Sequence, residues 1–180
     1  LEPLALSELA ATAVGLARAD ADADWMLRLD ALRRLLMMRN MRPQYALVLA
    51  GLADVADDLG DWESCAKFLD KLLGARDLLK EPWKAQAACL QLALAQERAG
   101  HIDLAESTLL AAMERARKLA PAGNLIPASA RAAQALIHLG QLHARQGNAD
   151  EARAWLEGAV DMAPDPETQL AAEQALAALG

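Results

Sequence analysis

Asp20, Asp22 and Asp24 alternate with alanine, the spacing at which a calcium-binding helix–loop–helix opens its ligand loop. That loop also needs a glycine at its sixth position for the sharp turn and a bidentate glutamate at its twelfth. Trp25 and Ala31 stand there instead, so the three carboxylates read as an acidic helix start favoured by the helix dipole. His138 and His143 are five apart, which on a helix turns the imidazoles onto different faces and makes a poor metal pair. Both are expected to be ordinary surface or groove histidines. Asp57 and Asp58 adjoin at the predicted end of a helix. Paired carboxylates do acid–base work when they face each other across a cleft, which neighbours on one helix cannot. Cys65 and Cys89 are too few for a disulfide framework and sit on apolar helical faces, so buried free thiols are expected. No Gly-rich phosphate loop, Gly-x-Ser-x-Gly or His-Glu-x-x-His occurs. The expectation is a non-enzyme with no metal and no cofactor.

With no reacting group to position, the elements must position a surface. The chain has 180 residues, 54% of them hydrophobic, enough for one domain with a continuous core. Only 3% are aromatic, while Ala and Leu, strong helix formers, supply most of the apolar surface. The predicted class is all-α. A net charge of −7 argues against free nucleic acid or an anionic membrane surface as the main partner, since both require a basic footprint. No apolar run is long enough to cross a bilayer, and no charged-then-apolar leader opens the chain. A cytoplasmic location is expected, or a periplasmic one if Leu1 is a processed N-terminus. A start at Leu1 also suits a domain excised from a longer protein.

Apolar residues at helical spacing predict helices over 4–19 and from about Asp24 to Met38, a degenerate first pair in residues 1–42. Arg28, Arg33, Arg34, Arg39 and Arg42 make the second of these locally basic. That is read as a solvated face with local ion pairs, the alternative being a dock for an acidic partner. Met26, Met37, Met38 and Met41 are read as core or end-face packing. A helix from Pro43 to Leu59 ends at Gly60, and Asp61 is placed to cap the next, with Cys65, Phe68, Leu69, Leu72 and Leu73 inward. A further pair turns at Gly100-His101, with Asp103 and Glu106 spaced as a capping box. Pro121 to Pro127 is predicted to be a loop. The last pair turns at Gly147, with Asn148 and Glu151 repeating the cap pattern, and Asp165-Pro166 opens a final helix. Trp62, Trp83 and Trp155 are expected to fill wedges between helices.

Aligning Gly60, Gly100 and Gly147 exposes a repeat. Five residues on stand Cys65, Ala105 and Ala152, and nine on stand Leu69, Leu109 and Leu156. Eight before each glycine stand Leu52, Leu92 and Leu139, and seven before stand Ala53, Ala93 and Gly140. Antiparallel helices need small residues where their axes approach and large ones where they diverge. The pattern resembles the tetratricopeptide repeat, most fully in Leu139-Gly140, Gly147, Ala152, Leu156, Ala159 and Pro164. The family period is about 34 residues, but the glycines here are 40 and 47 apart. Extended repeats of this kind are similar to those of MalT-type regulators and kinesin light chains.

The resemblance implies an α-solenoid, a right-handed superhelix of antiparallel helix pairs. Its repeats would span 43–81, 82–121 and 128–164, with a capping helix over 165–180. It also implies a concave groove that binds a protein or peptide, lined by the first helix of each pair. Carried over residue by residue, the groove positions are Leu47, Ala50, Asp54, Asp57 and Asp58, then Ala87, Leu90, Gln91, Leu94, Glu97 and Arg98. The third set is Gln134, Ile137, His138, Gln141, Ala144 and Arg145. Family members that grip a carboxyl terminus use Lys and Asn at such positions. Here these are Ala50 and Asp54, Leu90 and Leu94, and Ile137 and Gln141, so that clamp is not expected. The predicted function is a non-catalytic interaction module. The alternative is a sensor region of a larger signalling or transcription-regulating protein.

Overall fold

The structure, a computed structural model, describes residues 2–75, 82–119 and 125–180. Among these residues it forms nine helices and no strand: α1 Pro3–Ala19, α2 Ala23–Met38, α3 Arg42–Asp58, α4 Trp62–Gly74, α5 Pro82–Arg98, α6 Ile102–Leu119, α7 Leu125–Arg145, α8 Ala149–Met162 and α9 Pro166–Ala177. Contacts divide the chain into two compact units, Leu1–Gly100 and His101–Gly180. In the first unit α1 and α2 pack on α3, α3 on α4 and α4 on α5. In the second α6 packs on α7, α7 on α8, and α9 on both α7 and α8. Within each unit a helix meets partners one or two places along the chain, the nearest-neighbour order of a repeat stack. Helices α1 and α2 also touch each other, and α9 lies against α7 and α8.

Helix ends are set by short-range chemistry. Asp22 accepts the N–H of Trp25 at 2.8 Å, Asp61 that of Ser64 at 3.1 Å, and Asp165 that of Thr168 at 2.9 Å. The Thr168 backbone and hydroxyl bonds hold the Asp165 carboxyl below its usual range. Three expectations need correction. Helix α6 begins at Ile102, so Asp103 lies inside its first turn, where it answers the dipole and is not the cap of a capping box. Asn148 occupies the cap position, but its side chain bonds Gln146 at 3.3 Å and caps nothing. Helix α7 begins at Leu125, so Pro127 stands in its first turn, where a missing N–H is harmless, and not in a loop.

The turns share one geometry. Gly60, Gly100 and Gly147 have φ of 72°, 85° and 81°, a left-handed conformation that suits glycine. After Gly60 and Gly147 the chain closes a Schellman motif: Asp61 N–H donates to Ala56 O at 2.8 Å, and Asn148 N–H to His143 O at 2.9 Å. Asn40, at φ 54°, makes the same motif between α2 and α3, with Met41 N–H donating to Leu36 O at 2.9 Å. Asparagine tolerates the left-handed region better than other side chains, so this turn forms without a glycine.

All twelve aligned repeat positions are buried. The first unit's core runs from Leu6, Ala10 and Val14 through Leu29 and Leu36 to Leu49, Leu52, Leu69 and Leu92. Small residues mark close crossings. A Cβ on Gly140 would stand 2.5 Å from Leu156 Cγ and 3.0 Å from Ala152 O, and one on Gly51 would stand 2.9 Å from both Val14 methyl carbons. Trp62 and Trp155 are half-buried, whereas the Trp83 side chain lies outside the described residues. Met26 and Met41 pack against the core, but Met37 and Met38 are exposed. The arginines of α2 do form local pairs. Arg33 and Arg34 bridge Asp30 at 2.6 and 2.7 Å. Burial raises the Asp30 carboxyl, but the bonds and charges of these two arginines outweigh it and hold the group below its ordinary range.

Both cysteines are free and buried. Burial, with the charges of Asp57 and Asp54, pushes the Cys65 thiol up to about 12. The thiolate is the nucleophile, so Cys65 should be inert at neutral pH. In the native protein a thiol reagent at pH 8 should label neither cysteine within minutes, and both should react in denaturant. Prompt native labelling of Cys65 would show that it is accessible.

Candidate functional site

The first unit contains an open groove of about 420 Å³. Helix α3 supplies Pro43, Ala46, Leu47, Ala50 and Asp54 to it, and α5 supplies Lys84, Ala87, Ala88 and Gln91. Leu69 and Leu72 of α4 form the floor, and Arg18 reaches in from α1. The floor exists because α4 packs against both α3 and α5, while α3 and α5 reach each other through long side chains. Gln91 Nε2 donates to Asp54 Oδ1 at 3.5 Å. The small residues Ala50, Ala87 and Ala88 leave the space a larger side chain would fill.

The polar rim is largely self-paired. Arg18 bridges Asp54 at 2.6 Å, with side chains 47% and 31% exposed. Arg98 bridges Asp57 at 3.2 Å and lies 4.5 Å over the Trp62 ring. Asp57 and Arg98 thus hold the α3–α4 turn against the end of α5, which accounts for much of what each can do. Asp58 is exposed at the end of α3. Leu90, Leu94 and Glu97 are half-buried on α5 and do not line this groove.

In the second unit, Gln134, His138, Gln141 and Arg145 share one face of α7 and are exposed or half-buried. Ile137 is only 8% exposed, so most of its side chain packs within the unit and little of it faces the expected groove. His143 is likewise buried and is not a surface histidine. Its Nε2 lies 3.6 Å from Glu106 Oε1 of α6, beyond hydrogen-bond distance. No cluster of three or more His, Cys, Asp or Glu that could hold a metal occurs among the described residues.

Sequence reasoning missed Arg18, Lys84 and the floor residues Leu69 and Leu72. Arg18 was legible in principle, since extending the groove positions one repeat back would have placed it on the first helix of the first pair. A second concavity, of about 370 Å³, lies by the α2–α3 turn among Leu36, Met37, Met41 and Tyr45. It includes none of the expected groove residues.

This architecture resembles that of tetratricopeptide-repeat proteins: helix pairs with glycine turns and small residues at close crossings. Residues 133–166 match the sequence model of the tetratricopeptide repeat. No curated protein sequence matches the chain. Among solved structures, the fold is similar to BtubC (BKLC) from P. vanneervenii, with a TM-score of 0.68 and 18% identity over 99% of this chain and 74% of that one. It is also similar to the nearly identical TPR-like repeats of a kinesin-light-chain candidate from Podosopora anserina, with a TM-score of 0.65 and 16% identity over 97% and 83% of the two chains. The family match thus covers the last helix pair, and the fold of the chain is similar to that of extended, kinesin-light-chain-like repeats. At such identities the likeness is one of fold. Among the described residues, no helix is long and apolar enough to cross a membrane.

Proposed function

We propose that the chain is a non-catalytic interaction module that binds a peptide or helix of a partner protein in the α3–α5 groove. The observation that supports this most is the apolar floor of Leu69 and Leu72 beneath alanine walls, open to solvent and rimmed by Arg18, Asp54, Lys84 and Gln91. Such a site suits one large apolar side chain of the ligand, with polar neighbours at the rim fixing its direction. Asp54 and Gln91 are the rim contacts assigned in the groove, Leu90 and Leu94 belong to the adjoining face of α5, and Gln134, Gln141 and Arg145 form a separate candidate strip on α7. Asp57 and Arg98 act through their mutual pairing. The acidic net charge of −7 favours protein over nucleic acid.

Panning the chain against displayed peptide libraries should enrich sequences with a single large apolar anchor. Ala87→Trp, which fills the groove, should weaken the selected peptides by about 10-fold or more while far-UV circular dichroism stays unchanged. Leu90→Glu with Leu94→Glu tests the adjoining face in the same way. Equal binding to wild type and to both variants would refute the groove.

A further inference from the structure

Six of the nine large apolar side chains exposed among the described residues belong to the first helix pair and its end: Leu4, Leu9, Leu16, Leu27, Met37 and Met38. A repeat stack ordinarily needs a polar outer face on its terminal elements. Helix α9 has a mostly polar one, with Glu167, Gln169, Glu173 and Gln174 exposed around a single exposed leucine, Leu170. Helix α2 does not. Its exposed positions Asp24, Leu27, Ala31, Arg34 and Met38 follow alternating spacings of three and four, a stripe about 80° wide of the kind that seams two helices together. Leu27 and Met38 are 73% and 74% exposed.

Charge says what fits this stripe. Asp20, Asp22 and Asp24 lie before and in the first turn of α2, Arg33 and Arg34 lie in its C-terminal half and Arg39 just past its end, and Arg28 and Asp30 offset each other between them. Turned antiparallel, the helix is its own electrostatic complement. Residues 2–42 contain six acidic and six arginine side chains and are neutral, while the whole chain carries −7. Two copies can therefore meet here without the repulsion they would feel elsewhere.

We infer that a second copy of this chain docks on α2, the two α2 helices crossing antiparallel about a two-fold axis. Crossing level with residue 29 sets Leu27 on Ala31 of the other copy and Asp24 on Arg34 of the other copy, each twice by symmetry. The Asp24 and Arg34 side chains are 75% and 70% exposed, and Asp24 has only a loose contact, 3.9 Å, with Arg28 of its own helix. Arg34 already bonds Asp30, and its guanidinium has five donors, enough for a second carboxylate. A 16-residue helix is about 24 Å long and covers less than the roughly 800 Å² per partner of a standard interface. The dimer is therefore a weak, concentration-dependent one. None of the groove residues lies in the stripe, so this interface and the groove stand or fall separately.

Sedimentation velocity should show a monomer at about 5 µM shifting toward twice the mass by about 200 µM, the range for a weak interface. Leu27→Glu should stay monomeric throughout. Asp24→Arg alone sets like charges against Arg34 of the other copy, and Arg34→Asp alone does so against Asp24. Each should weaken dimerisation by about 10-fold. Combining the two substitutions should restore it, which a merely structural effect on α2 would not do. Unchanged circular dichroism keeps misfolding apart from dissociation. A wild-type monomer across the range, a dimer that survives Leu27→Glu, single charge reversals without effect, or failure of the double reversal to restore pairing would each overturn the assignment. A monomeric wild type would leave the stripe to a different partner.

Discussion

Gly140→Ala should destabilise the second unit by about 1–3 kcal/mol, and Gly140→Leu should prevent α7 and α8 from docking. A methyl group at this position meets Leu156 Cγ at 2.5 Å, Leu156 Cδ2 at 2.8 Å and the Ala152 carbonyl oxygen at 3.0 Å. Leu156 is 1% exposed and has little room to swing away, and the carbonyl belongs to the α8 backbone. The helices must separate, which loosens the contacts around Leu139 and Ala159 as well. Urea unfolding monitored by circular dichroism measures the loss. For a unit of this size each kcal/mol moves the melting temperature by about 4–8 °C. Gly51→Ala is the internal comparison. There the new methyl meets Val14 methyl groups 2.9 Å away, with no backbone atom among the nearest neighbours. Its cost should be smaller, and Val14→Ala should largely relieve it. Equal stability of Gly140→Ala and wild type would mean that the α7–α8 crossing is looser than described.

Leu52→Ala should cost about 2–5 kcal/mol, whereas Leu47→Ala, five residues earlier on the same helix, should cost under about 1 kcal/mol. Leu52 is 0% exposed within the first unit's core, so truncation leaves a cavity that the surrounding helices can only partly close. Leu47 is half-buried on the groove wall, where removed atoms are replaced by solvent. The pair separates packing from binding. Leu52→Ala should lower stability while the surviving folded fraction binds normally, and Leu47→Ala should weaken groove ligands with stability nearly unchanged. Denaturant titration beside a peptide-binding isotherm gives both readings. A large stability loss for Leu47→Ala would place that residue in the core.

The groove is defined by what lies two helices away. Arg18 pairs with Asp54 from a helix outside the three aligned copies, and Leu69 and Leu72 become a floor because α4 spans α3 and α5. An acidic residue such as Asp57 looks unpaired in sequence, yet Arg98 bridges it while lying over the Trp62 ring. Ile137 looks like a groove residue by position but is 8% exposed.

Short-range physics was legible without coordinates. Helical spacing of Ala and Leu located the helices, because one face of each must be apolar. Asp61 and Asp165 announced their caps, because an oxygen three residues ahead of a free N–H satisfies it locally. The glycines at 60, 100 and 147 and the small residues at 53, 93 and 140 fixed the repeat register, because a left-handed turn and a close crossing each exclude most side chains. Asn40 gave no such signal, since asparagine is tolerated in that turn but not required by it. Asp103 and Asn148 had the right spacing for caps, yet one lies inside its helix and the other bonds elsewhere. Tertiary structure alone decided which first-helix side chains face solvent, which charges are already paired and where a groove opens. Those outcomes depend on interhelical distances of a few ångströms, set by packing between residues about 40 positions apart, to which no local pattern is sensitive.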